Sequence, residues 1–162
     1  MAYAILRTDK MMSTRVESML VTFRYQDSSA DAPIENGNIV ELDGLMEGER
    51  EVFLAKAPTA TSNLDNCVLV NGVELLYDER ASMRNLNKFR NEAGDNVRGR
   101  HLHSGDIFSV TKEAIDGEAA VGNAIELQAG TKLKCVASPT ASTTQVGTVI
   151  ELDGDYIVIL VA

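Results

Sequence analysis

The chain has no tryptophan, and aromatic residues make up only 5% of its 162 positions. Its core must therefore be aliphatic, drawn from Val, Ile, Leu, Met and Ala. Two cysteines, Cys67 and Cys135, are too few for the disulfide framework of a small secreted domain. They read as buried core thiols of a protein folded in a cytoplasm. No run approaches the ~20 apolar residues of a membrane span, and the first residues carry no leader pattern. Positive charge is in deficit, with 15 Lys and Arg against 24 Asp and Glu and a net charge of −9. Such a surface argues against nucleic acid, whose phosphates need neutralising, and equally against an anionic membrane. Phosphate-loop and dinucleotide fingerprints are absent, as is a nucleophile elbow.

What is present is repetition. Gly37-Asn38-Ile39-Val40-Glu41-Leu42 returns as Gly122-Asn123-Ala124-Ile125-Glu126-Leu127 and as Gly147-Thr148-Val149-Ile150-Glu151-Leu152. Each is a turn glycine followed by a β-branched strand, and the first and third run on into Asp-Gly turns. Pro58-Thr59-Ala60-Thr61-Ser62 likewise resembles Pro139-Thr140-Ala141-Ser142-Thr143, with a new strand expected eight residues after each proline. Residues 37–77 and 122–161 thus read as two similar β units. A unit with one apolar face cannot bury it alone, so the pair is expected to build a small, mainly β barrel or sandwich within a single domain, 32–162.

Outside the units lie residues 1–31, read as an N-terminal arm with one strand over Val16–Tyr25, and an insertion, 78–117. Within the first unit, Asn66 to Tyr77 reads as a hairpin over Asn71-Gly72. In the insertion, Met83, Leu86 and Phe89 recur every three residues and permit a helix over 82–91. A strand at 88–91, a turn at 92–95 and a strand over 97–103 compete with it. Tyr156–Val161 is nearly continuous apolar sequence and is expected to be a central strand buried on both faces.

Candidate chemistry is sparse. His101 and His103 would share a face on a strand, and Asp106 lies near in sequence. Two histidines do not supply the ligands of a zinc site, so they read as solvated side chains, with a small hydrolase as a remote alternative. Arg80, Arg84, Arg90, Arg98 and Arg100 concentrate positive charge, as solvated residues or as a contact for a carboxylate-rich surface. The reading is of a non-enzyme with no cofactor and no metal.

The stretches "ENGNIVELDGL", "REVFLAKAPT", "GVELLYDER", "NKFRNEAGDNVRGRHLHSGDIFSVT" and "GTVIELDGDYIVILV" resemble the small auxiliary head proteins of tailed bacteriophages. The resemblance implies a decoration or cement protein on the outer capsid surface of the virion, bound to the major capsid protein and able to associate with itself around a local axis. A head fibre base or a tail or baseplate adaptor is the alternative. The arm balances Arg7, Lys10, Arg15 and Arg24 against Asp9, Glu17, Asp27 and Asp31. Arg7, Lys10 and Arg15 are therefore the expected capsid contacts, on a segment that orders on docking. Its removal is expected to leave stability unchanged.

Overall fold

Short alternating runs punctuated by turn glycines produce strands and 3-10 turns. The computed structural model describes residues 2–12, 20–74 and 85–162. Among these, β1 (Leu20–Asp27), β2 (Ala30–Asp31), β3 (Ile39–Leu45), β4 (Val52–Lys56), β5 (Cys67–Val70) and β6 (Val97–His101) form one sheet. Its order is β2-β1-β4-β3-β5-β6, and a further β1–β6 pairing closes five of these strands into a barrel. The strands β7 (Ile107–Thr111), β8 (Ile115–Asp116), β9 (Ala124–Glu126), β10 (Leu133–Val136), β11 (Gln145–Asp153) and β12 (Tyr156–Val161) form a curled half-barrel in the order β7-β12-β11-β9-β10-β8.

The two sheets repeat one design. In the first, β3 lies antiparallel between β4 and β5; in the second, β9 lies antiparallel between β10 and β11. The shared phrase therefore starts equivalent strands, and Gly37 and Gly122 begin them at φ of 84° and 91°, where a side chain would be strained. Glu41 faces Lys56 across one pair of strands, and Glu126 faces Lys134 across the other. The third occurrence of the phrase lies in β11, the counterpart of β5.

The repeat is longer than the two units read from the sequence. β1 pairs parallel with β4 and antiparallel with β6, as β8 pairs with β10 and β7 with β12. One unbroken strand in the first module thus corresponds to two in the second. Register makes Phe23, opposite Val97, the counterpart of Val110, opposite Ile157. It likewise makes Tyr25, opposite Ala55, the counterpart of Ile115, opposite Leu133. Phe23 and Tyr25 are two residues apart and Val110 and Ile115 five. The difference is the three-residue 3-10 turn Lys112–Ala114, which splits the strand and leaves the second barrel open.

Closure of the first barrel also depends on side-chain size. A Cβ on Gly99 would lie 2.7 Å from Val68 Cγ2 and 3.0 Å from Phe23 Cε1. Register places Ile159 at the matching position of β12, where the wider half-barrel accommodates it. Inside the closed barrel Phe23, Tyr25, Ile34, Val40, Ala55, Val68, Val70 and Val97 form one core. The half-barrel wraps its own aliphatic face around Ile39, Cys67 and Leu69 from the barrel's outer wall to form the larger one.

Several expectations change here. β5, not β12, is the strand buried on both faces: Val68 and Val70 point into the barrel, Cys67 and Leu69 into the second core. β12 is central, but only Ile157, Ile159 and Val161 are buried. Asn71-Gly72 does not turn a hairpin, because β3 and β6 already flank β5. Instead Gly72 exchanges two hydrogen bonds with the buried Asn36 side chain. Residues 75–77, the end of that expected hairpin, and residues 82–84, the start of the permitted helix, lie outside the described residues. From Asn85 on, the strand-and-turn alternative holds in part: the turn at 92–95 and a strand from Val97 are present, but 88–91 forms no strand beyond the Asn91 bridge and β6 stops at His101. Leu86–Lys88 is a 3-10 turn, Asn91 bridges Ile34, Asp95 N–H donates to Glu92 O, and β6 follows.

Nor do the described residues within 1–31 and 78–117 stand apart as an arm and an insertion. β1 closes the barrel, and β6 and β7 belong to the two sheets. Residues 5–12 line the edge of β7 through the bridges Leu6↔Val110 and Met12↔Ile107, and Ala4 and Leu6 are each 2% exposed in the larger core. The partners of this segment lie about a hundred residues away, so nothing in its local sequence marks it as ordered.

Candidate docking surface

The N-terminal segment brings two of the three expected contact residues to the end of the β11–β12 hairpin. Arg7 donates to both carboxylate oxygens of Asp9, at 2.9 and 2.7 Å, and its guanidinium lies 4.9 Å from the centre of the Tyr156 ring. That pairing holds the Asp9 carboxyl down at about 2, the Arg7 hydrogen bond being the main cause, and raises Arg7 further above its ordinary value. Lys10 donates to Asp153 at 3.2 Å. Both cations are thus matched within the chain, and they form a neutral, aromatic-backed patch rather than free positive charge. Arg15 lies outside the described residues.

Beside this patch the hairpin overhangs the core. Leu152 is 46% exposed and Ile150 39%, while on the first module Leu45, at the end of β3, is 50% exposed. Leu45 follows the Glu-Leu-Asp-Gly word at 41–44, whereas Ile150 precedes and Leu152 lies within its recurrence at 151–154. Sequence reasoning missed them because an alternating strand looks alike whether or not it extends past the core it serves.

The repeated Glu and Pro-Thr words meet inside each module. Ser62 Oγ donates to Glu41 at 2.9 Å, and the Thr140 amide donates to Glu126. Glu126 is 1% exposed. Burial works against its ionisation, but the Thr140 amide, the Thr143 and Thr140 hydroxyls and the Lys134 charge outweigh it and hold the carboxyl below its usual range. The Thr144 amide donates to Ala60 O, and the Thr144 hydroxyl to Ser62 O, so the two loops also join the modules. These glutamates read as architectural.

His101 and His103 do not share a strand face, because β6 ends at His101. Burial, with His103 beside it, lowers the pKa of His101. The His103 amide donates to Asp106 at 2.9 Å, while its Nδ1 stands 3.8 Å from the same carboxylate oxygen. Among the described residues no group of three or more His, Cys, Asp or Glu is placed to hold a metal. Arg90 pairs with Glu92 and lies over Tyr3, and Arg98 and Arg100 stand on β6. Arg80 and Arg84 lie outside the described residues. Cys67 and Cys135 are free and buried, and burial pushes the Cys67 thiol up to about 12. No helix among the described residues is long and apolar enough to cross a membrane.

No family model matches the chain, and no curated protein or solved structure matches it.

Proposed function

We propose that the chain is a non-enzymatic structural protein of a tailed-phage virion, a decoration or cement subunit that sits on the outer capsid surface and bridges copies of the major capsid protein. The observation that carries this reading is the display of exposed leucines by both modules: Leu45 at the end of β3, and Leu152 with Ile150 on the β11–β12 overhang. Two apolar contact points on one body, each modest alone, make attachment multivalent. Separating two bridged subunits then breaks both contacts together. The head-protein resemblance of the quoted stretches supports the same role. So does the neutral Arg7–Asp9 and Lys10–Asp153 patch, which lets an acidic body approach a surface without local repulsion.

The test uses capsids assembled without the protein. Purified chain added to them is expected to co-sediment at a fixed stoichiometry and to raise the temperature at which the shells lose integrity. A chain that stays in the supernatant at every concentration overturns the role.

A further inference from the structure

The two modules differ at one end in a way that leaves a vacancy. In the first, the segment between β1 and Gly37 delivers Ile34 into the barrel, where it is 4% exposed. Asn91, from the connection between β5 and β6, pairs with it. Asn91 and Ile34 exchange backbone hydrogen bonds of 3.0 and 2.9 Å. In the second module both features are missing. Counting back three residues from Gly122, as from Gly37 to Ile34, gives Ala119, which is only partly buried against the larger core. The link between the corresponding strands is only the turn Gly154-Asp155 between β11 and β12, with no counterpart of Asn91. What remains is a cleft of about 440 Å³ between residues 117–119 and the hairpin, with Leu152, Tyr156 and Ile157 on its far side. No hydrogen bond joins the Ala119 backbone to any other described residue. Lys112 lines the cleft together with the two acids Glu118 and Asp155, and neither acid has an ion-pair partner among the described residues.

We propose that this open end is a docking pocket for one aliphatic side chain, carried on an extended segment of a partner protein and flanked by Lys or Arg. The segment runs along residues 117–121 and bridges the Ala119 backbone as Asn91 bridges Ile34 in the first module. The closed barrel is the template: an alanine replaces the isoleucine that plugs it, and the residue that bridges the plug has no counterpart, so a partner supplies both. The flanking cation answers Glu118 and Asp155. The inference deepens the docking reading, with the segment belonging to the capsid protein, but its test does not need a capsid.

Two measurements on the full chain decide it. Ala119→Ile restores the plug of the first module and is expected to raise the thermal midpoint. A lowered midpoint would mean that the space does not match an isoleucine, and would overturn the proposal. In the second, an end-capped pentapeptide, Arg-Thr-Ile-Thr-Arg, is titrated against labelled protein while amide resonances are followed. Saturable shifts are expected at Ala119, Leu152 and Tyr156. Replacing the peptide's isoleucine with serine should weaken binding about tenfold or more, and Ala119→Ile should abolish it. Absence of saturation, equal binding of the serine peptide, or unchanged binding to Ala119→Ile each refutes the pocket. Failure of the wild-type chain to bind capsids would defeat the virion role and leave these results standing. Capsid binding undiminished in Ala119→Ile would spare the role and defeat the pocket as its contact.

Discussion

Gly99→Ala is the sharpest perturbation of the barrel. Gly99 has no positive φ, so alanine can adopt its backbone. On that ground alone the substitution would stabilise by about 0.4–1 kcal/mol through the unfolded chain. The new methyl, however, would lie 2.7 Å from Val68 Cγ2, with Phe23 Cε1 and Val68 Cβ both at 3.0 Å. Val68 and Phe23 are both 0% exposed, so neither can swing into solvent. Overpacking of this kind costs about 1–3 kcal/mol, which exceeds the unfolded-state gain, and the expected net effect is a loss of about 1–2 kcal/mol. Urea denaturation should show it as a lower midpoint at unchanged slope. A drop in melting temperature of about 2–4 °C per kcal/mol is expected for a chain of this size. Val68→Ala alone should also destabilise, by removing two buried methyl groups. Combined, the two changes should be less harmful than their sum by about 0.5–3 kcal/mol, since one makes room for the other. A neutral or stabilising Gly99→Ala, or strict additivity with Val68→Ala, would refute the argument that this glycine lets the barrel close.

Leu69→Ala, at the seam between the two cores, and Ile157→Ala should each cost about 2–5 kcal/mol; a cost below about 1 kcal/mol in urea melts would show that the side chain is not packed as described. Leu6→Ala should cost a similar amount, and removing residues 2–12 should lower the melting temperature distinctly, because that segment covers β7 and buries Ala4 and Leu6. A truncated chain with the full-length melting temperature would contradict the β7 edge pairing. Glu126 titrates below its unfolded value of about 4.3, so its ionised form stabilises the fold above that pH, and the contribution is lost as pH falls through the folded-state value. Glu126→Gln should therefore flatten the acid limb of stability against pH, and an acid limb identical to wild type would show that Glu126 does not contribute to it. Cys67, 0% exposed with its thiol pushed up to about 12, should resist a disulfide reagent at pH 8 until urea is added; rapid native reaction at Cys67 would mean that the seam opens.

Much of the fold was legible locally. Turn glycines before β-branched runs marked β3 and β9, and the Pro-Thr words aligned β5 with β11, because strand periodicity and turn chemistry act over a few residues; Gly147, expected to be a third turn glycine, instead lies within β11. Composition correctly pointed to a core that is mostly aliphatic, but Phe23 and Phe108 are its two largest fully buried side chains. Other features depended on partners remote in sequence. The segment at 4–6 looks too short to matter until Val110 is placed beside it. Asn71-Gly72 looks like a hairpin turn until β3 and β6 occupy both edges of β5. Of the expected contact residues, position in the chain brought forward Arg7 and Lys10, but only the folded geometry shows them matched by Asp9 and Asp153.

The amino-acid sequence alone determined that this protein is built of strands, that it contains a duplication, and that its surface is acidic, because those properties are set by local pattern and summed charge. Tertiary structure decided that one copy closes and the other stays open. Closure depends on whether a single strand can reach both edges of its sheet, and on whether the side chains meeting inside leave room for it. Phe23 against Gly99 satisfies both conditions in the first module. In the second, the turn Lys112–Ala114 breaks the strand, and Ile159 places a side chain where the closed barrel has room for none.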